Sequence, residues 1–483
     1  MGITIVGLGP GNGRFLTRSA WELLSTTEML YLRTARHPAV DDLPEKMQRV
    51  SFDHVYDAAE QFEDVYRHIV TELIGLGQES DIVYAVPGHP FVGEATVTAL
   101  VAEAQKVGVA IVVEPGISFV EVVLTAVHVD ALDGLQIFDA IELAARHIPP
   151  LQPDVPLVLG QVYSRLLAGE IKMTLMSLYP DEHQVFLVHG AGNADEVVEA
   201  VPLYAMDHSD QINHLTSLYV PPLAYASSLT ALAETVAILR SPGGCPWDQE
   251  QTPQSMRSGF LEEASEVLAA LDEDNPAGLQ EELGDMFYHL VMQVQMAMEA
   301  EDFRLSDVFA GIDAKLKYRH PHVWGDWNVA DSKEVVLNWE ILKEKEKAGN
   351  GPVSLLDNIP AAMPALARAQ KMQQRVKKVG FDWPDISGVY HKLAEEIGEL
   401  QAAATPAEQM AELGDLLFAA VNVARWLEVD AESALREANL RFSRRFRRVE
   451  QLAEERGLDL SAMDLDGLEA IWQEVKQDLN NEL

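Results

Sequence analysis

The chain has 483 residues, too many for one ordinary hydrophobic core, so two to four domains are expected. Its 76 acidic against 36 basic residues set a formal net charge of -40, which disfavours sequence-independent binding of DNA or RNA but not of phosphate substrates, because bound divalent cations reverse the local field. A single cysteine, Cys245, excludes an internal disulfide framework and any metal site built on several thiolates, in keeping with a reducing cytoplasm.

From the amino end, Met1 to Gly9 reads as an apolar strand running into glycines, with neither a basic n-region nor a small-residue cleavage site. No stretch reaches the roughly 20 apolar residues a membrane helix needs, so a soluble cytoplasmic protein is expected. Over about the first 225 residues short apolar runs alternate with helical patterns, as a parallel or mixed α/β sheet requires. Strands are predicted at Ile3 to Leu8, Asp81 to Val86, Val109 to Val113, Leu157 to Leu159 and Val185 to Val188. The first three run into Gly7, Gly9, Pro10 and Gly11, into Pro87, Gly88 and Pro90, and into Pro115 and Gly116. Loops at the carboxyl ends of strands are where open α/β sheets bind ligands. A second α/β portion is predicted to begin near Pro149, within a proline cluster.

After Pro221 and Pro222 strand-like runs vanish, and segments rich in Ala, Leu, Glu, Gln and Met follow at helical spacing. Ala348 to Pro352 interrupts them and separates two helical blocks that repeat one another. LEEASEV (Leu261 to Val267), EELGDMF (Glu281 to Phe287), KLKYR (Lys315 to Arg319) and WEILK (Trp339 to Lys343) recur in order as AEEIGEL (Ala394 to Leu400), AELGDLL (Ala411 to Leu417), RFSRR (Arg441 to Arg445) and WQEVK (Trp472 to Lys476). The predicted organisation is a domain at residues 1–224, a helical module at 228–347 and a second at 353–483.

Each block carries Glu-Glu-x-x-Glu followed by Glu-x-x-Asp. Positions three apart share a helix face, so Glu263 pairs with Glu266, Glu282 with Asp285, Glu396 with Glu399, and Glu412 with Asp415. If the two helices of each block pack antiparallel, the pairs face each other. Four carboxylates repel unless cations sit between them, and oxygen ligands without His or Cys select Mg²⁺ or Mn²⁺. A lone Glu-Glu-x-x-Glu is usually a solvated helix face. Here Gly284 and Gly414, each costing about 1 kcal/mol within a helix, precede the Asp, and Leu283, Met286 and Phe287 flank the acids. Lys315 and Arg319, matched by Arg441 and Arg445, are candidate phosphate clamps with Lys343 and Lys476. Trp339 and Trp472 could stack on a base or sit in a core. Metal-bound acids with arginines describe phosphoryl chemistry, and the absence of a Walker lysine loop leaves hydrolysis.

Residues from about 228 to 483 resemble MazG, an all-α nucleoside triphosphate pyrophosphohydrolase. The resemblance rests on CPWD (Cys245 to Asp248), EEASE, EELGD, RHPHVW (Arg319 to Trp324), PALARAQK (Pro364 to Lys371), VGFDW (Val379 to Trp383), EEIGE, ELGD and RRFR (Arg444 to Arg447). It implies Mg²⁺-dependent hydrolysis of NTPs and dNTPs to monophosphate and pyrophosphate, usually by a dimer. All eight carboxylates carry over as metal ligands, with Glu396, Glu399, Glu412 and Asp415 favoured as catalytic. Lys392, Arg441, Arg445, Trp472 and Lys476 carry over as nucleotide contacts, while a basic family position is Glu408 here and an acidic one is Ala411.

Residues 1–224 resemble the tetrapyrrole (corrin/porphyrin) methylases through VGLGPGN (Val6 to Asn12) with Leu16 and Thr17, YAVPGHP (Tyr84 to Pro90) and VEPGISF (Val113 to Phe119). That likeness implies S-adenosylmethionine held by Gly7, Gly9, Pro87, Gly88, His89, Pro115, Gly116 and Ser118, and a tetrapyrrole-like methyl acceptor. Taken alone, GLGPG fits a nucleotide-binding turn or a mere tight turn. His89 stands where the family commonly has Asp and reads as structural. The order of the two parts is that of the fused YabN-like proteins. Two further readings stay open: the first domain as a non-catalytic S-adenosylmethionine-binding regulator, and the helical half as a scaffold with dead sites.

Overall fold

The computed structural model describes residues 1–58, 62–347, 354–357 and 359–481. The interruption predicted at Ala348 to Pro352 lies outside the described residues, as do 353, 358, 482 and 483 of the predicted second module. The chain divides into two compact units, Met1–Gln251 and Thr252–Leu483. An α/β unit is thus followed by a helical one, as the patterning predicts. Among the described residues no helix is long and apolar enough to cross a membrane.

The first unit holds two five-stranded sheets. In the first, β1 (Gly2–Gly7), β2 (Met29–Leu32), β3 (Gln48–Ser51), β4 (Ile82–Val86) and β5 (Ala110–Glu114) lie in the order β3-β2-β4-β1-β5, all parallel. The central strands are apolar on both faces, as a covered parallel sheet demands. Ile3, Ile5, Tyr84 and Val86 pack against Phe52, Ile69, Leu73 and Leu100 on one side. Val6, Leu8, Leu30 and Leu32 pack against Ala20, Leu24 and Leu43 on the other.

The second sheet comprises β6 (Gln136–Asp139), β7 (Leu157–Gly160), β8 (Gln184–His189), β9 (Val197–Pro202) and β10 (Thr216–Val220), ordered β6-β7-β10-β8-β9. Only β6 and β7 are parallel; the remaining pairs are antiparallel. The second α/β portion therefore starts at β6, upstream of the proline cluster near Pro149. β6 is an edge strand of four residues paired only with β7, and its half-exposed pattern lacks the continuous apolar run that marks a central strand. Helices Leu229–Arg240 and Pro246–Glu250 complete this unit.

The second unit is built from α1 (Arg257–Asp272), α2 (Pro276–Glu299), α3 (Leu305–Arg319), α4 (Ser332–Lys347), α5 (Ala365–Lys377), α6 (Ile386–Ala402), α7 (Pro406–Trp426), α8 (Ala431–Glu455) and α9 (Leu465–Asn481). α1 packs on α2 and α3 on α4; α6 packs on α7 and α8 on α9. The repetition seen in the sequence is thus a repetition of helix pairs. In the two acid-bearing pairs the second helix starts at a proline in its first turn, after Asn275 in α2 and Thr405 in α7 as the cap. Glu408, where the resembled family carries a basic residue, closes a capping box: its carboxylate accepts from Ala404 N–H at 2.9 Å and Thr405 N–H at 3.0 Å.

Two of the motifs that carry the resemblance have structural duties. Asp382 of VGFDW accepts from Arg425 Nη1 at 3.0 Å and from Trp426 Nε1 at 3.2 Å, tying the turn before α6 to the end of α7. Gln370 of PALARAQK donates to Val429 O at 2.8 Å and accepts from Ala431 N–H at 2.9 Å, fixing α5 on the α7–α8 turn.

Candidate functional site

In the first unit the glycine loops predicted from three separate strand ends converge. Gly9 and Gly88 form an antiparallel bridge. A Cβ at Gly7 would come within 2.5 Å of Gly88 O and 2.7 Å of Gly116 N, so no larger residue fits. Gly9 and Gly88 have φ of +78° and +64°, a region that favours glycine. Ser118 caps the helix at Phe119–Val127 in a capping box with Glu121. His89 Nδ1 accepts from Phe91 N–H at 3.0 Å.

These loops border a cleft of about 280 Å³ between the two sheets, lined by Pro10, Pro87, Gly88 and Phe119 together with polar residues that the sequence did not single out. Arg33 Nη1 meets the buried Glu94 at 3.0 Å, and its Nε donates to Tyr56 Oη at 3.0 Å. Burial works against the Arg33 charge, but Glu94 and Tyr56 outweigh it and raise its pKa further. Gln161, at φ +66°, donates to Asp139 at 2.7 Å. A non-glycine residue in that conformation at a cleft is the kind of strain that gathers at ligand sites. The sequence offered no signal for Arg33 and Glu94, because their partnership spans 61 positions.

His37 also lines the cleft, and burial lowers its pKa to about 4 against a hydrogen bond to the Gly9 backbone. Its imidazole is therefore neutral in the folded state near pH 7. The folded value lies below the unfolded one, so its contribution to stability is complete above pH ~6.5 and is lost as pH falls toward ~4. The urea midpoint of the wild-type chain is expected to drop more steeply between pH 7 and 4.5 than that of His37→Gln; parallel curves would remove His37 as the cause.

In the second unit each helix pair brings its acids together. One ligand oxygen from each of Glu263, Glu266 and Glu282 lies within 4.8 Å of the others, and the same holds for Glu396, Glu399 and Glu412. Asp285 and Asp415 sit on the same faces, one turn beyond Glu282 and Glu412, and Asp285 acts electrostatically on Glu263. Desolvation, then Asp285, Glu266 and Glu282, hold Glu263 above the ordinary carboxylate range; desolvation and Glu266 do the same to Glu282. Desolvation raises Glu399, Lys392 pulls it back, and Glu396 raises it again. Among the described residues a Cβ at Gly284, Gly398 or Gly414 would meet nothing within 4 Å, so packing between them does not explain these helical glycines beside the acids.

The two clusters differ in what faces the central glutamate. Glu396 is 3% exposed; its Oε1 receives Lys392 Nζ at 2.7 Å, and its Oε2 is buried with no partner among the described residues. In the first module the residue one turn before Glu263 is Gly259, and His289 Nε2 from α2 faces the carboxylate at 3.8 Å. A Cβ at Gly259 would fall 2.7 Å from His289 Cε1, so the ring occupies the space in which a longer residue 259 would start. In the second module Ala419 stands at the place of His289. Burial lowers the His289 pKa, whereas hydrogen bonds to Glu395 and Glu396 raise that of Lys392, so among the described residues the second cluster alone has a permanently charged lysine on its central glutamate. A buried carboxylate oxygen without a donor, beside two further acids, fits a hard divalent cation.

The remaining predicted contacts lie on the other helix pair of each module. Arg319 is buried and ion-paired with Glu346, with its guanidinium over Trp339 at 5.6 Å; Lys343 Nζ lies over the same ring at 5.2 Å. Trp472 packs at 5.2 Å on Phe442, beside Val449, Leu452 and Val475. Lys315, Arg441 and Lys476 are exposed and Arg445 is half-buried, with Arg441 on Glu437 at 3.4 Å.

Residues 2–207 match the family model described as Tetrapyrrole (Corrin/Porphyrin) Methylases, and residues 251–324 match that of the MazG nucleotide pyrophosphohydrolase domain. The chain is 38% identical over 484 residues to the uncharacterized protein YabN of Bacillus subtilis (strain 168), covering 98% of each chain. To the nucleoside triphosphate pyrophosphohydrolase of Escherichia coli (strain K12) it is 45% identical over 245 residues, which is 50% of this chain and 93% of that one. To the Thermotoga maritima nucleoside triphosphate pyrophosphohydrolase/pyrophosphatase MazG it is 42% identical over 238 residues, 49% of this chain and 91% of that one.

Proposed function

Because the chain belongs to the YabN-like family, a tetrapyrrole-methylase-like domain fused to a MazG-type nucleotide pyrophosphohydrolase domain, we propose that it hydrolyses nucleoside triphosphates to monophosphate and pyrophosphate with Mg²⁺, at the carboxylates of α6 and α7. The observation that carries this reading is the Glu396 carboxylate, one oxygen of which is buried without a partner among the described residues, clustered with the carboxylates of Glu399 and Glu412.

Glu396, Glu399, Glu412 and Asp415 would hold the cation, which when bound neutralises the triphosphate and polarises its phosphoryl oxygens. Lys392 would hold Glu396 in place through its 2.7 Å contact. Arg441, Arg445 and Lys476 would meet the phosphates that leave. A water adds to phosphorus, the α–β anhydride bond breaks, and the proton passes to a carboxylate of the same cluster. Glu263, Glu266, Glu282 and Asp285 would form a second metal cluster of structural weight, with Lys315, Arg319, Trp339 and Lys343 as its nucleotide-facing set.

For the first unit we propose S-adenosylmethionine binding at the joined glycine loops and transfer of its methyl group to a tetrapyrrole-like acceptor in the adjoining cleft. The convergence of Gly7, Gly88 and Gly116 supports this. The domain limits 1–224, 228–347 and 353–483, a homodimer and a cytoplasmic location belong to the same reading. Purified chain with Mg²⁺ and an NTP panel is expected to release pyrophosphate as the first product; orthophosphate as the first product would sink the assignment.

A further inference from the structure

In the first unit the loop after β2 fixes a cation on the wall of the cleft and leaves one of its donors unused. Arg33 donates its backbone N–H to Ala85 O at 3.0 Å and lines the cleft beside Pro87 and Gly88. Its guanidinium is held through Nε, which donates to Tyr56 Oη at 3.0 Å, and through Nη1, which meets Glu94 Oε2 at 3.0 Å. Nη2 has no partner among the described residues. Glu94 stands at the start of helix Ala95–Val107, its other oxygen taken by Thr96 Oγ1. Its side chain is 2% exposed against 23% for Arg33, so a molecule in the cleft meets the guanidinium and not the carboxylate behind it. A guanidinium only donates, and the N–H groups of Nη2 stay uncompensated until an acceptor arrives from the cleft.

The rest of the loop is held as firmly. Asp53 accepts from Thr34 Oγ1 at 2.6 Å and from Ala35 N–H at 2.8 Å, and His37 Nδ1 accepts from Ala39 N–H at 3.3 Å. The His37 ring is also hydrogen-bonded to the Gly9 backbone, which ties this loop to the joined glycine loops. Nη2 is therefore aimed before any ligand binds, the condition for preorganised recognition. A buried ion pair often adds no stability over apolar residues of the same volume, so packing does not account for Arg33 with Glu94. In a chain of net charge -40 an acidic ligand needs a local cation. Hydrogen bonds between ionised partners are roughly twice as strong as neutral ones, so Nη2 selects an oxyanion over a neutral carbonyl. At about 280 Å³ the cleft is at the lower edge of the range for pockets that enclose drug-sized ligands, so it admits one arm of a large acceptor and not a whole macrocycle.

We propose that Arg33 anchors a carboxylate arm of the methyl acceptor, with Glu94 as the counter-ion that orients it. This deepens the methyltransferase reading of the first unit and rests on it. The acceptor is thereby an acid, its carboxylate held at Nη2 while another atom of the same molecule faces the methyl donor. S-adenosylmethionine carries a carboxylate of its own, and the test separates the two sources.

The test uses the full chain. S-adenosylhomocysteine binding is measured by calorimetry. In its presence coproporphyrin, which bears carboxylate arms, is titrated by fluorescence anisotropy against its tetraamide, which has the same ring and neutral arms. The acid is expected to bind about tenfold more tightly or better, the worth of one charge-assisted hydrogen bond. Arg33→Gln should erase that preference and leave S-adenosylhomocysteine binding unchanged. Glu94→Gln keeps an oxygen for Nη1 and removes the counter-charge, so the acid should bind severalfold more tightly than to the wild type, an effect that a merely structural pair would not produce. This second variant decides the matter if Arg33→Gln fails to fold. Equal binding of acid and amide by the wild type, no binding of either, or unchanged or looser binding of the acid by Glu94→Gln overturns the anchor. Loss of S-adenosylhomocysteine binding in Arg33→Gln assigns the carboxylate to the methyl donor and overturns its assignment to the acceptor. A wild type that binds no S-adenosylhomocysteine overturns the methyltransferase reading itself.

Discussion

Replacing Glu396 with Ala is expected to lower pyrophosphate release by more than roughly a hundredfold, since groups that merely orient metal ligands already cost 10- to 100-fold when removed. Glu396 is the buried acid of its cluster, one oxygen on Lys392 and the other unpartnered among the described residues. Glu399→Ala should lose most activity as well, whereas Glu263→Ala, at the matching place in the first module, should cost less than about tenfold. The contrast follows from the central partner, a permanently charged Lys392 in one module and a buried, largely neutral His289 in the other. Loss of folding can be separated from loss of chemistry. Removing one of several crowded carboxylates relieves repulsion, so the metal-free Glu396→Ala chain should melt no lower than the wild type. Full turnover in both Glu396→Ala and Glu399→Ala would move the active site to the first module.

Removing divalent cations is expected to abolish pyrophosphate release, by roughly a thousandfold or more, because a cation supplies several kcal/mol of transition-state stabilisation and each 1.36 kcal/mol is worth tenfold. Mg²⁺ or Mn²⁺ should restore it, since the clusters offer carboxylate oxygens alone. A readout independent of turnover is available. Cation at a hundredfold excess over Kd stabilises the folded chain by about 2.7 kcal/mol, a rise in Tm of several degrees for units of this size. Mn²⁺ binding followed by electron paramagnetic resonance should show at least one site that Glu396→Ala removes. Full activity under chelation, or no Mn²⁺ bound, would refute the metal assignment.

The class of each half and much of the metal site could be read before any coordinates. Helical spacing places Glu396 with Glu399, and Glu412 with Asp415, on single faces, because a helix repeats within a turn and the relevant neighbours are three or four positions away. The long apolar runs of β1, β4, β7 and β8 were legible for the same local reason. The strands that escaped were short or edge elements, such as β3, which is mostly exposed, and β9, which pairs with β8 alone and has no buried residue. β10 escaped although fully buried, because its five residues begin with Thr216 and Ser217 and their burial depends on β7 and β8.

By itself, then, the sequence determined what repeats within a few residues: the α/β and helical halves, the duplicated module, the shared faces of the acids and the glycine-bearing strand ends. Only the tertiary structure decided which groups meet across long separations. It joined Gly7 to Gly88 and Gly116, paired Arg33 with Glu94, and set His289 rather than a residue at 259 beside Glu263. Among the described residues it also left one buried oxygen on Glu396 and one on Gln373 without donors. Burial and pairing are properties of packed elements, set by every neighbour at once, and no local pattern in the chain encodes them.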